Sequence, residues 1–403
     1  MKVGILSYHF PPEPAFIPGS LAEELARRGH EVRVLTGFPD YPGGQVYPGW
    51  RQRFRHLTRS ERLTVRRVPR YAGGDASPAA RMAGYLSFAG SAALAGRRYL
   101  AGVDVLYVFQ FPATTFATAG LLRLLGRVPT VLHVQDLWTG EVAPGEAAQD
   151  RPGRIASTMR RVLREADAVA VTAPSMRDLV VAGGVAEARV RTVLNWTDER
   201  IFQPVRPGRD AQALVRRNAR CVVMHAGTIG VRQGLETAVR AAAALDDRMD
   251  LVLVGSGAQE RRVRGLATEL GADNVRFIAR RSPLDMPELY AAADYQLVTL
   301  RDLPELHGTV PSKVQSALAC AAPMVASAGG DTAALVERAR AGLSCPPEDW
   351  AALADRFWLA TTIPSPARAE MGRRGRETYL REMSLRAGVD RIEALLGEIA
   401  ASR

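Results

Sequence analysis

Cysteine is scarce in this chain, and so are long apolar runs. The three cysteines, Cys221, Cys320 and Cys345, form neither a C-x-x-C pair nor a zinc-finger spacing, so we expect no disulfide framework and no structural metal. The best membrane candidate, residues 83–95, falls well short of the ~20 residues that span a bilayer, so we expect no transmembrane helix. Residues 1–6 enter a strand pattern directly, without the features of a signal peptide, and the cytoplasm is therefore the expected location.

Acidic residues are outnumbered, since 42 Asp and Glu face 53 Lys and Arg in 403 residues, a formal net charge of +11. Eleven arginines lie in residues 51–100 against Glu61 and Asp75, while Lys2 and Lys313 are the only lysines of the chain. A solvated, arginine-rich surface explains this segment, and so does contact with an anionic membrane or a phosphorylated acceptor. Nucleic acid is not an expected partner, because no RNP strand, zinc finger or basic zipper is present.

Apolar runs alternate with amphipathic stretches, and this alternation occurs twice along the chain. The predicted strands are residues 3–7, 31–36, 103–109, 128–134 and 168–172, and then 221–226, 249–254, 275–278, 295–298 and 324–327. The predicted helices of the first half are residues 19–29, 79–100, 113–125 and 153–166. This pattern predicts two parallel, doubly wound sheets in series. Residues 203–210 hold two Pro and one Gly and are typical of a linker between them.

Two other enzyme classes built on such sheets lack their motifs here. A nicotinamide dehydrogenase needs G-x-G-x-x-G after a strand, but the stretch that begins with Gly255 has Glu260 at its sixth position. A hydrolase of this fold class needs G-x-S-x-G at a strand-to-helix turn, and we find none. Both functions are therefore disfavoured.

Eight stretches, spread in order over nearly the whole chain, carry a resemblance to a known family. They are residues 8–14 (YHFPPEP), 21–32 (LAEELARRGHEV), 35–42 (LTGFPDYP), 133–138 (HVQDLW), 226–236 (AGTIGVRQGLE), 251–257 (LVLVGSG), 289–294 (LYAAAD) and 310–314 (VPSKV). The chain thereby resembles the retaining glycosyltransferases of family 4, and within them most of all the subgroup that acts on bacterial surface polysaccharides.

The resemblance implies the GT-B architecture, an α/β fold of two doubly wound, Rossmann-like domains that face a central cleft. Residues 1–205 would form the N-terminal domain that binds the acceptor. Residues 206–380 would form the C-terminal domain that binds the nucleotide-sugar. Residues 381–403 would be a C-terminal helix that crosses back to the N-terminal domain.

The donor diphosphate is the negatively charged part of the substrate, and backbone amides, helix N-termini and fixed cations can neutralise it. Residues 227–230 lie between a predicted strand and a predicted helix, where glycine lets the backbone approach a phosphate, and Arg232 follows them. Lys313 stands at a second predicted helix start. The residues assigned to the diphosphate are Gly227, Thr228, Arg232, Ser312, Lys313 and Val314. The alternative for the two cations is a role as solvated helix residues.

The chain departs from the family pattern at the donor site. Family 4 usually has a Glu, seven residues and a second Glu, and Gly308 and Ser316 occupy these positions here. Thr228 and Gln233 occupy the positions of the usual phosphate-loop cations and leave Arg232 between them. We assign the donor sugar to Glu305, His307, Gly308 and Thr309, and the base and ribose to Gly255, Arg280, Arg281 and Ser316. For the two arginines of that set, a surface loop pair is the alternative.

Gln135 aligns with a histidine that the family often has near the reacting sugar, and Asp136 follows it. We assign both as catalytic residues at the reacting sugar or the acceptor, with a helix N-cap as the alternative for Asp136. The residues assigned to the acceptor loop are Pro12, Pro14, Ala15, Phe16 and Trp138. The resemblance implies front-face attack in which the leaving phosphate takes the acceptor's proton, so that no protein nucleophile, metal or other cofactor is required.

We therefore expect a metal-independent, retaining hexosyltransferase that uses a UDP- or GDP-sugar. The subgroup and the basic segment favour a lipid-linked glycan precursor as acceptor, and with it peripheral contact with the inner face of an anionic membrane. The altered donor motif favours a soluble specialised metabolite, including a thiol or thione sulfur as in lincosamide biosynthesis. The absent glutamates also leave open a nucleotide-sugar-binding pseudoenzyme or partner subunit. The chain is expected to be a monomer or a homodimer.

Overall fold

The computed structural model describes residues 1–73, 77–110, 115, 118–120, 122, 128–136, 154–245 and 247–402. The chain divides into two compact units, of which the first consists of Met1–Leu194 and Gly388–Arg403 and the second of Asn195–Ala387. The predicted boundaries after residues 205 and 380 differ from these. The chain already belongs to the second unit at Trp196, whose side chain is buried, and at Thr197, whose amide donates to the Tyr379 hydroxyl over 3.3 Å.

The first unit contains one sheet. Its strands are β1 (Lys2–Ser7), β2 (Glu31–Gly37), β3 (His56–Arg59), β4 (Leu63–Val68), β5 (Val105–Phe109), β6 (Thr130–Val134), β7 (Ala168–Val171) and β8 (Val190–Thr192). Their spatial order is β3-β4-β2-β1-β5-β6-β7-β8, and every pair is parallel except β3 with β4. In the centre, Val3 of β1 is in register with Val32 of β2 and Val105 of β5. Because parallel sheets are covered on both faces, these central strands are near-continuous apolar runs.

Helices flank the strands of the first unit. The described ones are Phe16–Arg27, Pro78–Tyr99, Arg154–Glu165, Pro174–Ala182 and, from Gly388 on, Leu385–Ala401. Ser77 caps the second of them by accepting a hydrogen bond from the Ala80 amide over 3.1 Å. The last helix is held on this unit by Glu393, whose carboxylate lies 2.5 Å from Arg28 Nη1 and 2.6 Å from His30 Nε2.

The second unit contains a parallel sheet of the same kind. Its strands are β9 (Cys221–Ala226), β10 (Met249–Val254), β11 (Val275–Ile278), β12 (Tyr295–Thr299), β13 (Met324–Ser327) and β14 (Gly342–Cys345), in the spatial order β11-β10-β9-β12-β13-β14. Its helices are Arg209–Val215, Leu235–Ala243, Glu260–Glu269, Met286–Ala292, Pro304–His307, Ser312–Ala319, Gly330–Arg338, Trp350–Thr362 and Ser365–Glu382. Alanine-rich helix faces and the valines and leucines of the strands form its core.

The predicted α/β class with two doubly wound parallel sheets is confirmed by these strand orders. No helix within the described ranges is long and apolar enough to cross a membrane.

Candidate functional site

The strand order of the second sheet has a topological switch point at β9. β9 pairs with β10 on one side and with β12 on the other, so the connections leave the centre of the sheet in opposite directions. Open parallel sheets bind ligands at this switch point, outside the carboxyl ends of the strands. Here those ends continue into residues 227–230 after β9 and residues 300–311 after β12. The residues assigned to the diphosphate and the donor sugar fall in or beside these two segments.

Glycines bring the loops after β9 and β10 into direct backbone contact. A Cβ on Gly255 would lie 1.9 Å from the Gly227 carbonyl oxygen, and the φ angle of Gly255 is +146°. The Ile229 amide donates to the Ser256 carbonyl over 3.0 Å, which braces the two loops further along. Any side chain at Gly255 would push the loop of residues 227–230 away, so this glycine is required for packing. The predicted role of Gly255 at the base or ribose stays a prediction.

Lys313 reaches the loop of residues 227–230 from the second residue of the helix Ser312–Ala319, whose start has no side-chain cap. Its Nζ lies 3.2 Å from Nε2 and 3.4 Å from Nδ1 of His225, and a Cβ on Gly227 would stand 3.6 Å from it. Although Lys313 is partly exposed, desolvation of the ammonium lowers its pKa to about 7. An uncapped helix start and an amine at a glycine loop form a site suited to an anion.

His225 lies at this site and was not identified by the sequence analysis. It is fully buried in β9, and its Nε2 lies 3.3 Å from the Thr228 carbonyl oxygen. Burial, and next the nearby Lys313, hold the pKa of His225 well below its ordinary value. The imidazole is therefore neutral near pH 7. The available signal was a histidine at the second-to-last position of an otherwise apolar strand, two residues before Gly227.

Arginines surround the same loops. Arg232 is exposed in the turn Val231–Gln233, and its carbonyl accepts from the Arg301 amide over 2.9 Å. Arg301 follows β12 and was also not identified from the sequence, although its place directly after a central strand was a usable signal. Glu236 Oε1 lies 3.2 Å from Arg262 Nε and 3.9 Å from Arg301 Nη2, so one carboxylate balances part of this charge.

The segment assigned to the donor sugar is held rigidly. His307 Nε2 lies 2.8 Å from Asp302 Oδ1, and the Thr332 hydroxyl donates to the Thr309 carbonyl over 2.7 Å. A Cβ on Gly330, where φ is +59°, would lie 2.1 Å from the His307 carbonyl oxygen, so the helix Gly330–Arg338 packs closely on this segment. Glu305 and His307 are partly exposed, whereas Gly308 is buried. The structure thus places Glu305, His307 and Thr309 along one segment after β12.

Two of the assigned donor residues have partners within the fold, and their assignment to the donor stays a prediction. Val314 is completely buried, and its amide donates to the Pro311 carbonyl over 2.9 Å. Ser316 is buried one turn later, with its hydroxyl 3.3 Å from that of Thr197. Both face inward because the helix Ser312–Ala319 is buried from Val314 on, and Ser312 and Lys313 are the residues at its accessible start.

Arg280 and Arg281 are exposed directly after the edge strand β11, at the carboxyl end of the sheet. β11 is separated from β9 by β10, so these arginines do not follow the switch-point strands. Their assignment to the base stays a prediction.

In the first unit, the residues assigned to the reacting sugar follow β6. The Gln135 amide donates to Gln110 Oε1 over 3.0 Å, and Gln110 is itself buried directly after β5. Gln135 is partly exposed and Asp136 is exposed. The two chain segments that follow β5 and β6 are therefore held together by one buried amide. Trp138 lies outside the described residues.

The acceptor loop follows β1 and leads into the helix Phe16–Arg27, so that Pro12, Pro14, Ala15 and Phe16 form one continuous segment. Glu13, between these residues, is buried and turned inward. Its carboxylate accepts from the amides of Phe10, Asp40 and Tyr41 over 3.1–3.3 Å, and it lies 2.7 Å from Arg70 Nη2.

The buried cluster around Glu13 includes His9, Asp40 and Arg70. His9 Nδ1 lies 3.0 Å from Glu13 Oε1, and Arg70 also pairs with Asp40 and lies over the Tyr8 ring. Burial alone would raise the pKa of Glu13, but the hydrogen bond from His9 and the charge of Arg70 outweigh it and lower this pKa below 4.5.

His9, Glu13 and Asp40 are also arranged as metal ligands would be, with one ligand atom each and all three within 4.8 Å of one another. Arg70 already places its charge on both carboxylates, and its side chain is fully buried. A metal ion would have to share the site with this fixed cation. The chemistry therefore favours a role in holding the acceptor loop over a role in binding metal.

Comparisons with known proteins agree with this architecture. The family model "Glycosyl transferase 4-like domain" matches residues 17–196, and the family model "Glycosyl transferases group 1" matches residues 209–378. A protein of Escherichia coli (strain K12), described as the colanic acid biosynthesis glycosyl transferase WcaI, is 31% identical over 342 residues, which cover 79% of this chain and 81% of that protein.

Two further proteins are similar over nearly their full length. N-acetyl-alpha-D-glucosaminyl L-malate synthase from Bacillus anthracis is 21% identical over 406 residues, which cover 99% of this chain and 97% of the synthase. The solved structure of Anabaena Alr3699/HepE in complex with UDP-glucose has a TM-score of 0.70 and 17% identity, and the match covers 99% of this chain and 100% of that one.

Proposed function

The chain belongs to glycosyltransferase family 4 and has the GT-B type of fold, and from this premise we propose that it transfers a hexose from a UDP- or GDP-sugar to an acceptor. The observation that carries the proposal is the position of Lys313, at an uncapped helix start beside the glycine loop of the second sheet's switch point. The similarity to the UDP-glucose complex makes UDP the first nucleotide to test.

We propose that protein groups neutralise the leaving diphosphate without a metal ion. Lys313, Arg232 and Arg301 supply positive charge around the two switch-point loops, and the starts of two helices supply backbone amides. Preorganised charges and dipoles of this kind stabilise the charge that develops on a leaving group. The protein's remaining task is to hold donor and acceptor in a reactive geometry.

We propose a retaining, front-face transfer in which the leaving phosphate accepts the acceptor's proton. Gln135 and Asp136, after β6, are the groups assigned to the reacting sugar or the acceptor, and neither is required to act as a nucleophile. Nuclear magnetic resonance of the product would identify its anomeric configuration. Formation of the opposite anomer to the donor would contradict this mechanism but not sugar transfer itself.

We propose a lipid-linked glycan precursor as the acceptor, on the basis of an exposed basic surface on the first unit. Of the eleven arginines in residues 51–100, Arg66, Arg67 and Arg70 are built into the fold, and eight are exposed. The exposed ones are Arg51, Arg53, Arg55, Arg59, Arg62, Arg81, Arg97 and Arg98. Anionic lipid headgroups attract clusters of this kind.

Apolar side chains lie among these arginines. In the helix Pro78–Tyr99, Leu86 is 59% and Leu94 is 74% exposed. Arg66 donates to the carbonyls of Phe54 and Ala95, so the exposed Phe54 and the helix belong to one surface. Exposed apolar residues beside basic ones are typical of interfacial membrane contact. The name of the E. coli relative, which refers to colanic acid biosynthesis, points to the same acceptor class.

A small-molecule acceptor is the second candidate, and the similarity to a malate-glycosylating synthase favours it. The two acceptor classes can be separated by assaying transfer with and without vesicles or detergent micelles, because only a lipid-linked acceptor requires them.

Thermal-shift screening against UDP, GDP, TDP and their sugars, followed by transfer assays with the stabilising donor, tests the proposed function. Selective ligand binding to the native state raises the melting temperature. We expect one nucleotide and its sugar to stabilise the protein and that sugar to be transferred. Stabilisation by a donor that is never transferred or hydrolysed would instead support a nucleotide-sugar-binding pseudoenzyme.

A further inference from the structure

A buried glutamine connects the ends of two neighbouring strands in the first unit. Gln110, the residue directly after β5, is 2% exposed. Its backbone amide donates to the His133 carbonyl of β6 over 3.0 Å, and its side-chain Oε1 accepts from the Gln135 amide, also over 3.0 Å. Gln110 therefore contacts β6 through its main chain and the segment after β6 through its side chain.

The geometry of a parallel sheet shows what this side chain replaces. In a parallel ladder, a residue that donates to one residue of the next strand accepts, through its own carbonyl, from the residue two positions further along. Gln110 donates to His133, so the regular partner of the Gln135 amide is the Gln110 carbonyl. The register of β5 with β6 ends at the pair Phe109 and His133, and beyond it the Gln110 side-chain oxygen accepts this bond. A side chain thus continues the ladder past the ends of the strands.

Gln135 is also contacted from the strand on its other side. The Thr172 hydroxyl, directly after β7, lies 3.5 Å from the Gln135 carbonyl oxygen. Gln110, Gln135 and Thr172 therefore occupy the same position in three adjacent strands, one residue past each carboxyl end. The main chain of Gln135 is held between two side chains at the edge where open parallel sheets bind ligands.

We propose that Gln110 is a positioning residue that acts through Gln135 and sets where the Gln135 side chain stands at the reacting sugar. The inference rests on the proposed function, which assigns Gln135 to this place. Gln135 is partly exposed, whereas Gln110 is buried and offers almost no surface to a substrate. A group at a reacting centre keeps its productive geometry only when the residues behind it are fixed.

Gln110→Met tests the contact itself. Methionine is close to glutamine in size but has no amide oxygen, so the Gln135 amide loses its acceptor. Hydrogen exchange of that amide, measured by nuclear magnetic resonance, should become roughly two- to tenfold faster, the equivalent of one hydrogen bond. The matched control is Gln296→Met, which removes a buried glutamine of β12 in the second unit whose side chain donates to the Tyr290 carbonyl. Exchange at Gln135 should be unchanged in the control.

The kinetic assay follows the release of UDP or GDP from UDP-glucose, UDP-galactose and GDP-mannose by the full chain, with water as the acceptor. We expect Gln110→Met to lower kcat roughly ten- to a hundredfold, because the reacting geometry is lost, while the donor KM stays near the wild-type value. Gln296→Met should keep the wild-type kcat. A lower melting temperature of Gln110→Met with an unchanged kcat would overturn the inference, since Gln110 would then serve the fold alone.

A double-mutant cycle shows whether Gln110 acts through Gln135. In a Gln135→Ala chain no side chain is left to position, so adding Gln110→Met should change kcat by less than about twofold. Single-turnover assays keep the slow variants measurable. The same fold-loss in both backgrounds, or wild-type activity of Gln135→Ala, would contradict the inference and leave sugar transfer intact. A wild-type protein that binds UDP or GDP but releases neither from any of these donors would overturn the proposed function, and this inference with it.

Discussion

At the residue scale, the sequence analysis identified an accessible residue of the candidate donor site, Lys313, and missed the buried residue beside it, His225. Lys313 was identified because a lysine at a helix start is conspicuous in an arginine-rich chain, and in the structure its Nζ lies beside His225 and Gly227. His225 was not, because a single histidine in an apolar strand is usually a core residue. Val314 and Ser316 are buried, which the sequence pattern did not report, and their assignment to the donor stays a prediction.

Lys313→Ala tests the assignment of the donor cation. The variant should melt close to the wild type, because a surface helix-start substitution changes stability by less than about 0.5 kcal/mol. Loss of a charge-assisted hydrogen bond to the diphosphate should cost about 1.5–3 kcal/mol, or roughly ten- to more than a hundredfold in affinity by calorimetry.

Lys2→Ala is the matched control, since it removes the other lysine from the first unit. Its nucleotide affinity should equal that of the wild type. Equal affinity in a folded Lys313→Ala protein would instead exclude Lys313 from the site.

Glu13→Gln tests the buried cluster that holds the acceptor loop. The pKa of Glu13 is lowered in the folded protein, so its charge stabilises the fold above pH ~4.5, and this contribution is lost as the pH falls below that value. The variant should lose roughly 1–3 kcal/mol at pH 7, because Arg70 loses a buried partner. The difference from the wild type should shrink as the pH falls from 5 toward acid. Urea unfolding at several pH values measures it, and a difference independent of pH would contradict this role.

At the element scale, the alternation of apolar runs and helices located most strands of both sheets. β9, β10, β11 and β13 match their predicted bounds to the residue. Those not predicted have identifiable reasons. β4 (Leu63–Val68) contains two arginines within the most basic segment, and β3 lies at the sheet edge. β8 has only three residues, and β14 consists of Gly, Leu, Ser and Cys, so neither contains a continuous apolar run that periodicity could recognise.

Gly255→Ala tests the close packing of the two loops at the switch point. A Cβ would meet the Gly227 carbonyl oxygen at 1.9 Å, and the backbone would have to leave φ +146°. We expect a loss of about 1–3 kcal/mol in the free energy of unfolding, measured with urea, together with weakened nucleotide binding.

Gly265→Ala is the control for that substitution. Gly265 lies in the helix Glu260–Glu269, directly after the same loop, with no atom within 4 Å of a built Cβ. Alanine should stabilise the protein by up to about 1 kcal/mol without changing nucleotide affinity. Equal stability of the two variants would contradict the packing argument.

At the scale of the whole molecule, the strand alternation predicted two sheets in series, and composition predicted one basic segment, residues 51–100, but not how its charge is used. The chain passes into the second unit at Asn195, before the Pro- and Gly-containing segment that was predicted as the linker. Arg66, Arg67 and Arg70 donate to carbonyls and carboxylates within the fold. Net charge counts these arginines with the exposed ones, and only tertiary structure separates them.

Vesicle flotation tests the exposed basic surface. If it contacts anionic lipid, the protein should float with phosphatidylglycerol vesicles at low salt and be released as salt screens the charges. Replacing Arg55, Arg59, Arg97 and Arg98 with Gln should weaken binding by roughly 1 kcal/mol for each arginine at the surface. A control with the same charge change on the second unit replaces Arg209, Arg217, Arg240 and Arg261. Equal loss in both variants, or no flotation at low salt, would favour the small-molecule acceptor.

The central claim is that the switch point of the second sheet binds a nucleoside diphosphate through protein groups. Calorimetric titration of the full chain with UDP, GDP and TDP in the presence of EDTA measures this directly. We predict saturable binding of one nucleotide at a stoichiometry near one, with the same affinity after addition of magnesium or manganese. Absence of binding by all three nucleotides, or binding that appears only when a divalent metal is added, would contradict the claim.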